Sequence, residues 1–217
     1  MGMMFVKRVI DLVGATVLLV LAAPVFAVVA AVVRVRMGRP VLFCQVRAGY
    51  RGRPFTLLKF RTMREATGAD GRPAPDADRL TSLGRMLRRT SLDELPQLIN
   101  VLRGDMSLLG PRPLLMQYLP RYTPRQARRM NVKPGMAGWS QVNGRNSLCW
   151  EEKLAMDAWY ADNWSLWLDA RIAVRSFWKI ISLDGTSHPG NATMPEFMGS
   201  PRKQNPHHLD RTSERRV

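Results

Sequence analysis

Leu12 to Val33 reads "LVGATVLLVLAAPVFAVVAAVV", 22 residues without a charge. That length matches the roughly 20 apolar residues a helix needs to cross a bilayer, and a soluble protein has little use for it. A signal peptide is the competing reading, because "VFA" resembles a small-residue cleavage site. The apolar run continues past it, however, and ends in Arg34, Arg36 and Arg39. Lys7 and Arg8 precede the segment, so basic residues flank both ends and positive-inside bias draws both toward the cytoplasm. Pro24 lies near the middle, where its ring and missing N–H bend a helix. Two arrangements satisfy these facts: a helix–break–helix hairpin dipping into one leaflet, or a spanning helix with a tolerated proline.

The remainder is long enough for one main domain. A formal charge of +16 over 217 residues calls for an anionic partner: nucleic acid, phospholipid or phosphorylated substrate. No nucleic-acid-binding motif is present, and the apolar segment favours the membrane. Cys44 and Cys149 form neither a C-x-x-C pair nor a disulfide framework. His188, His207 and His208 all fall near the C-terminus, so chemistry in the body of the chain must use other groups.

"VLFCQV" and "FTLLKF", separated by "RAGYRGRP", predict a small β-hairpin carrying Lys59 and Arg61 outward. Glu65 to Asp78 reads as an exposed loop. Apolar spacing from Arg79 to Arg103 follows the helical period in two pieces, a basic helix is expected near Arg125 to Met130, and amphipathic helices near Trp150–Asn163 and Leu166–Ile181. The six tryptophans all fall between positions 139 and 178, a composition suited to a membrane interface as well as to a core. The polar, basic end of the chain reads as disordered. The fold class is therefore α+β, mainly helical, in three parts: residues 1–36 as membrane segment, 37–198 as main domain and 199–217 as tail.

Between the two helical pieces stands "RRTSLDELPQLINVLRGDMSLLGPRP", with Asp93 and Glu94 adjacent in a basic setting. "SLDE" is a capping-box pattern, with Ser91 as N-cap and Glu94 at the third helical position. Pro96 would then fall beyond the first turn; a helix starting near Asp93 instead leaves Pro96 harmless and puts the carboxylates at a positive helix end. Adjacent helical residues diverge by about 100°, which rules out a facing acid–base pair of the glycosidase kind. One carboxylate can attack phosphorus while the other holds a divalent cation, and carboxylate with phosphate oxygens suits Mg²⁺. Lys59, Arg88, Arg112 and Arg145 are candidate phosphate clamps, Arg112 being restrained by the prolines of "GPRP".

These motifs, with "KRVIDLVGA", "KFRTM", "PGMAGWSQVNGRN" and "WYADNWSLWLDARI", resemble the bacterial polyprenol-phosphate phosphoglycosyl transferases, specifically the small monotopic, PglC-like members of the bacterial sugar transferase family. The resemblance covers Lys7 to Phe197. It implies that Asp93 attacks the sugar-bearing phosphate of a UDP-sugar, releasing UMP and leaving a covalent phosphosugar that undecaprenyl phosphate then takes up. Glu94, with Asp93 beside it, would hold Mg²⁺, and Lys59, Arg88, Arg112, Arg145, Asp157 and Asp169 match polar positions around that site. The resemblance also implies a re-entrant hairpin broken at Ala23-Pro24, where the family usually carries Ser-Pro. It implies interfacial helices on membrane lipids and a catalytic domain on the cytoplasmic side of the inner membrane, and it admits a homodimer. "GNATMPEFMG" resembles the subgroup acting on UDP-N-acetylhexosamines. A membrane-tethered nucleic-acid-binding protein and a non-catalytic scaffold are the alternative classes.

Overall fold

The computed structural model describes residues 2–67, 71, 74–144, 148–181 and 196–200. Arg145, most of the "GNATMPEFMG" segment and nearly all of the tail lie outside them. In chain order the regular elements are helix α1 (Gly2–Met37), strands β1 (Leu42–Ala48) and β2 (Pro54–Phe60), and helices α2 (Asp76–Arg79), α3 (Ser82–Arg89) and α4 (Gln97–Arg103). Strand β3 (Ser107–Leu109), helix α5 (Pro124–Ala127), strand β4 (Gly135–Ala137) and helices α6 (Trp139–Asn143), α7 (Trp150–Asp162) and α8 (Leu166–Ile181) complete them. The α+β, mainly helical reading holds.

The expected break at Ala23-Pro24 does not interrupt α1, which is helical from Gly2 to Met37 with Pro24 inside it. A proline removes one helix hydrogen bond, and the bonds on either side suffice to carry the helix past it. Only a narrow stripe of α1 is buried, Lys7, Asp11 and Ala15 at one end and Val29 and Val33 at the other. The rest of its apolar surface, such as Leu21 at 72% exposure, faces outward. Such a helix is stable only with an apolar medium around it. Its two halves rest on one body: Ala15 and Leu19 pack with Leu57, Leu98, Val101 and Met106, and Phe26, Val29 and Val33 pack with Phe60 and Leu87.

Strands β1 and β2 form the expected antiparallel hairpin, in register from Leu42 opposite Phe60 to Ala48 opposite Pro54. Arg61 does not point outward. It is buried, and its guanidinium donates to the carbonyls of Met37 and Arg39. The carbonyls at the end of a helix lack internal partners, and Arg61 supplies one. Asn100 joins α4 to the hairpin: its Oδ1 accepts from the Leu58 amide at 3.0 Å and its Nδ2 donates to the Thr56 carbonyl at 2.7 Å. A fully buried amide thus stands in for a neighbouring strand.

A second ladder was not expected. Strands β3 and β4 pair in parallel, Ser107 with Gly135 and Leu109 with Ala137. A side chain at Gly135 would collide with the backbone of Leu109 and Gly110, so only glycine admits this approach. Helix α8 buries Leu168 and Ile172 while leaving Trp167 and Trp178 exposed at 78% and 64%, with Val174 and Phe177 beside them. Near the C-terminal end, Phe197 returns to the body and is buried among Tyr118, Leu154 and Trp150.

Candidate active site

The Asp93–Glu94 pair is presented by a short turn rather than by the start of a long helix. Ser91 adopts a left-handed conformation, φ 57° and ψ 15°, and its side chain caps nothing, so the capping-box expectation is wrong. Leu92–Glu94 form one 3₁₀ turn, and Pro96 stands as N-cap of α4. A single left-handed residue reverses the chain between α3 and this turn. Non-glycine residues with positive φ are uncommon and cluster where geometry is tightly determined.

Five cationic and acidic side chains converge there. Lys59 on β2 donates to Glu94 Oε1 at 2.8 Å and lies 3.8 Å from Asp93 Oδ2, so one ammonium serves both carboxylates. Arg112 donates to the same Glu94 oxygen at 2.7 Å, while its side chain remains 43% exposed. Arg88, on α3, donates from Nε to Thr62 Oγ1 at 3.1 Å, and its charge reaches Asp93. Helix α3 can lie against Thr62 because Gly84 has no Cβ to strike the Thr62 carbonyl.

The adjacent carboxylates titrate in opposite directions. Burial raises Asp93, and the negative charge of Glu94 adds to that, outweighing Lys59, Arg112 and Arg88. Burial also acts to raise Glu94, but the charges and hydrogen bonds of Arg112 and Lys59 prevail and hold it well below the usual carboxylate range. Lys59 is lowered by burial against the opposing pull of Glu94. Arg112 is raised, chiefly by Glu94. Glu94 is thus held as an anion by its two cations, whereas Asp93 is poorly solvated although it lies close to the same cations.

Behind Arg112 lies a buried support that the sequence did not disclose. Arg129 donates from Nη2 to the Arg112 carbonyl at 2.6 Å and to Asp157 Oδ2 at 2.7 Å, and Ser140 donates to Asp157 Oδ1 at 2.7 Å. In "RQARRM" nothing distinguishes Arg129 from Arg125 or Arg128. Asp157 therefore acts through Arg129 rather than lining the dyad. Asp169 is placed elsewhere, accepting from Lys7 at 2.6 Å, Tyr160 at 2.6 Å and Trp164 at 3.0 Å. Both were expected among the phosphate-binding groups; the structure instead fills their oxygens with protein donors.

Among the described residues no three His, Cys, Asp or Glu side chains gather to hold a metal. Two adjacent carboxylates are nevertheless what Mg²⁺ commonly takes from a protein when substrate phosphates and water supply its other ligands. Because Glu94 Oε1 already accepts from Lys59 and Arg112, Oε2 is the oxygen available to a cation.

The profile of the bacterial sugar transferase family matches residues 2–183. The chain belongs to the bacterial sugar transferase family. This sugar transferase is 50% identical over 197 residues to an uncharacterized sugar transferase, EpsL, of Bacillus subtilis (strain 168), covering 91% of this chain and 98% of the relative. It is 40% identical over 188 residues to the UDP-glucose:undecaprenyl-phosphate glucose-1-phosphate transferase of Caulobacter vibrioides, covering 82% of this chain and 70% of the relative. It is 37% identical over 198 residues to the undecaprenyl-phosphate galactose phosphotransferase of Salmonella typhimurium, covering 83% of this chain but 41% of the relative.

Proposed function

We propose that this sugar transferase moves a sugar 1-phosphate from a UDP-sugar to undecaprenyl phosphate through an aspartyl-phosphosugar. The observation that carries the reading is the meeting of Asp93 and Glu94 with Lys59 and Arg112, in which one carboxylate is neutralised and its neighbour is left desolvated. Asp93 Oδ forms a bond to the sugar-bearing phosphorus, and the bond from that phosphorus to the bridging oxygen breaks, its electrons leaving with UMP. An acceptor phosphate oxygen then attacks the same phosphorus, and the Asp93 carboxylate departs. Lys59, Arg112 and Arg88 offset the charge that gathers on the phosphoryl oxygens.

Glu94 Oε2 and Asp93, with donor phosphate oxygens, would hold Mg²⁺, which supplies further charge neutralisation at the diphosphate. The chain's resemblance to the PglC-like subgroup supports a UDP-N-acetylhexosamine donor. The Caulobacter and Salmonella relatives are named for glucose and galactose, so a donor panel must include all three classes.

The membrane arrangement rests on two surfaces. The outward face of α1 and the Trp167, Val174, Phe177 and Trp178 face of α8 are both apolar, as a monotopic enzyme needs for a lipid acceptor. Both ends of α1 are tied to one domain, through Lys7 to Asp169 and through Met37 to Arg61. That supports placing the two ends on one side of the bilayer, the basic flanks pointing to the cytoplasmic face of the inner membrane.

The test uses detergent-solubilised full-length protein with Mg²⁺, undecaprenyl phosphate and a panel of UDP-sugars. UMP release is expected from one donor, and Asp93→Asn is expected to abolish both turnover and a trapped phosphosugar adduct. Normal turnover by Asp93→Asn would remove the nucleophile assignment.

A further inference from the structure

Three guanidinium groups surround the Pro111–Pro113 turn, and their charges are not equally balanced. Arg129 is paired with Asp157 and Arg112 with Glu94. Arg47, on β1, has no carboxylate partner among the described residues. Its Nη1 donates to the Pro113 carbonyl at 3.5 Å and its Nη2 to Gln45 Oε1 at 2.6 Å, while its Nε is buried without a hydrogen-bond partner.

Position makes this imbalance useful. The backbone of β1 is bonded to the chain that follows the turn: the Ala48 amide donates to the Leu114 carbonyl at 3.0 Å, and Arg47 and Leu115 form an antiparallel bridge. Arg47 is therefore fixed relative to the turn that carries Arg112. Arg47 and Arg129 reach consecutive carbonyls of that turn, those of Pro113 and Arg112. Burial, followed by the positive charge of Arg112, lowers the Arg47 guanidinium to about 10, so it remains charged at neutral pH beside another cation. Two neighbouring guanidinium groups, only one of them neutralised by the protein, are stabilised by a doubly charged anion.

We propose that Arg47 is a substrate-binding residue that, together with Arg112, holds a phosphate monoester dianion at the active site. The inference rests on the phosphoglycosyl transferase reading, under which two such groups visit the site: the phosphate of released UMP and that of the polyprenyl acceptor. Guanidinium recognition of phosphate is directional, with two parallel N–H donors, so a lysine retains charge without the fork. Gln45 holds one arm of that fork and is a positioning residue for it.

Full-length wild type, Arg47→Gln, Arg47→Lys and Gln45→Leu are compared in three measurements: KM for the UDP-sugar with inhibition by UMP, KM for undecaprenyl phosphate, and thermal unfolding with and without UMP. Arg47→Gln is expected to weaken one phosphate ligand about tenfold, as loss of a charge-assisted contact does, with a smaller change in kcat. Arg47→Lys should fall between Arg47→Gln and wild type. An effect on UMP inhibition and donor KM identifies the nucleotide phosphate; an effect confined to acceptor KM identifies the lipid phosphate.

Unchanged constants for both ligands in folded Arg47→Gln overturn the proposal. If Arg47→Gln does not fold, Arg47→Lys and Gln45→Leu decide it: wild-type constants for both ligands in these two variants would equally overturn it. A wild type that neither turns over a UDP-sugar nor responds to UMP would instead refute the underlying function.

Discussion

Lys7 and Asp169 stand 162 positions apart in the chain and form a buried ion pair of 2.6 Å. The lysine also donates to the Leu109 carbonyl at 3.1 Å, and four residues on, Asp11 accepts from Ser107 Oγ at 2.9 Å and from the Leu108 amide at 3.0 Å. Successive turns of α1 thus present polar groups to β3, and the long apolar helix is locked to the β3–β4 ladder. Removing one partner of a buried pair leaves an uncompensated charge, which costs about 3–5 kcal/mol. Asp169→Ala is therefore expected to lower stability by that order in denaturant unfolding. Turnover should fall with it, because α1 loses its hold on β3.

Ser91 offers a test in the opposite direction. Its positive φ is tolerated by serine and is natural to glycine, so Ser91→Gly should keep UMP release near wild type with stability changed by less than about 1 kcal/mol. Ser91→Val places a β-branched side chain in the same conformation. It should destabilise the fold by about 1–2 kcal/mol and reduce turnover by displacing Asp93, which thermal unfolding and initial rates will show.

The carboxylates give a pH prediction with opposite signs at adjacent positions. Asp93 is raised by burial in the folded state, so it favours folding at low pH, and that contribution is lost as pH rises through its folded value. Asp93→Asn should accordingly be more stable than wild type at neutral pH in EDTA, the advantage vanishing in acid. Glu94 is depressed by Arg112 and Lys59, so its contribution is present at neutral pH and lost as pH falls. Glu94→Gln should be less stable than wild type at neutral pH. Thermal melts across the acid range of all three proteins would show these crossed trends.

What the sequence disclosed follows from locality. The hairpin, the two helical pieces around the dyad and helices α7 and α8 each carry their own period within a dozen residues, and they lie where that period puts them. Charge alone named Lys59, Arg88 and Arg112 as phosphate clamps, but the contacts of Lys59 and Arg112 with Asp93 and Glu94 join separate elements and were not legible. Nor was the β3–β4 ladder: two three-residue strands set in glycine-rich loops have no detectable alternation, and their pairing is long-range. Arg61, Asp157 and Asp169 look like surface or ligand charges until their buried partners are seen, and those partners lie in other elements.

The support behind Arg112 can be separated from the charge it carries. Asp157→Ala strands the buried Arg129 guanidinium and should cost about 3–5 kcal/mol, losing activity through instability alone. Replacing both partners, as in Arg129→Met with Asp157→Leu, removes the buried charges together and should recover most of that stability. It does not restore the donor at the Arg112 carbonyl, which Arg129 Nη2 supplies at 2.6 Å. The double variant is therefore expected to unfold near the wild-type midpoint in urea while its donor KM stays raised several-fold, because the turn carrying Arg112 is no longer held. Recovery of wild-type kinetics along with stability would show that the buried pair only fills space.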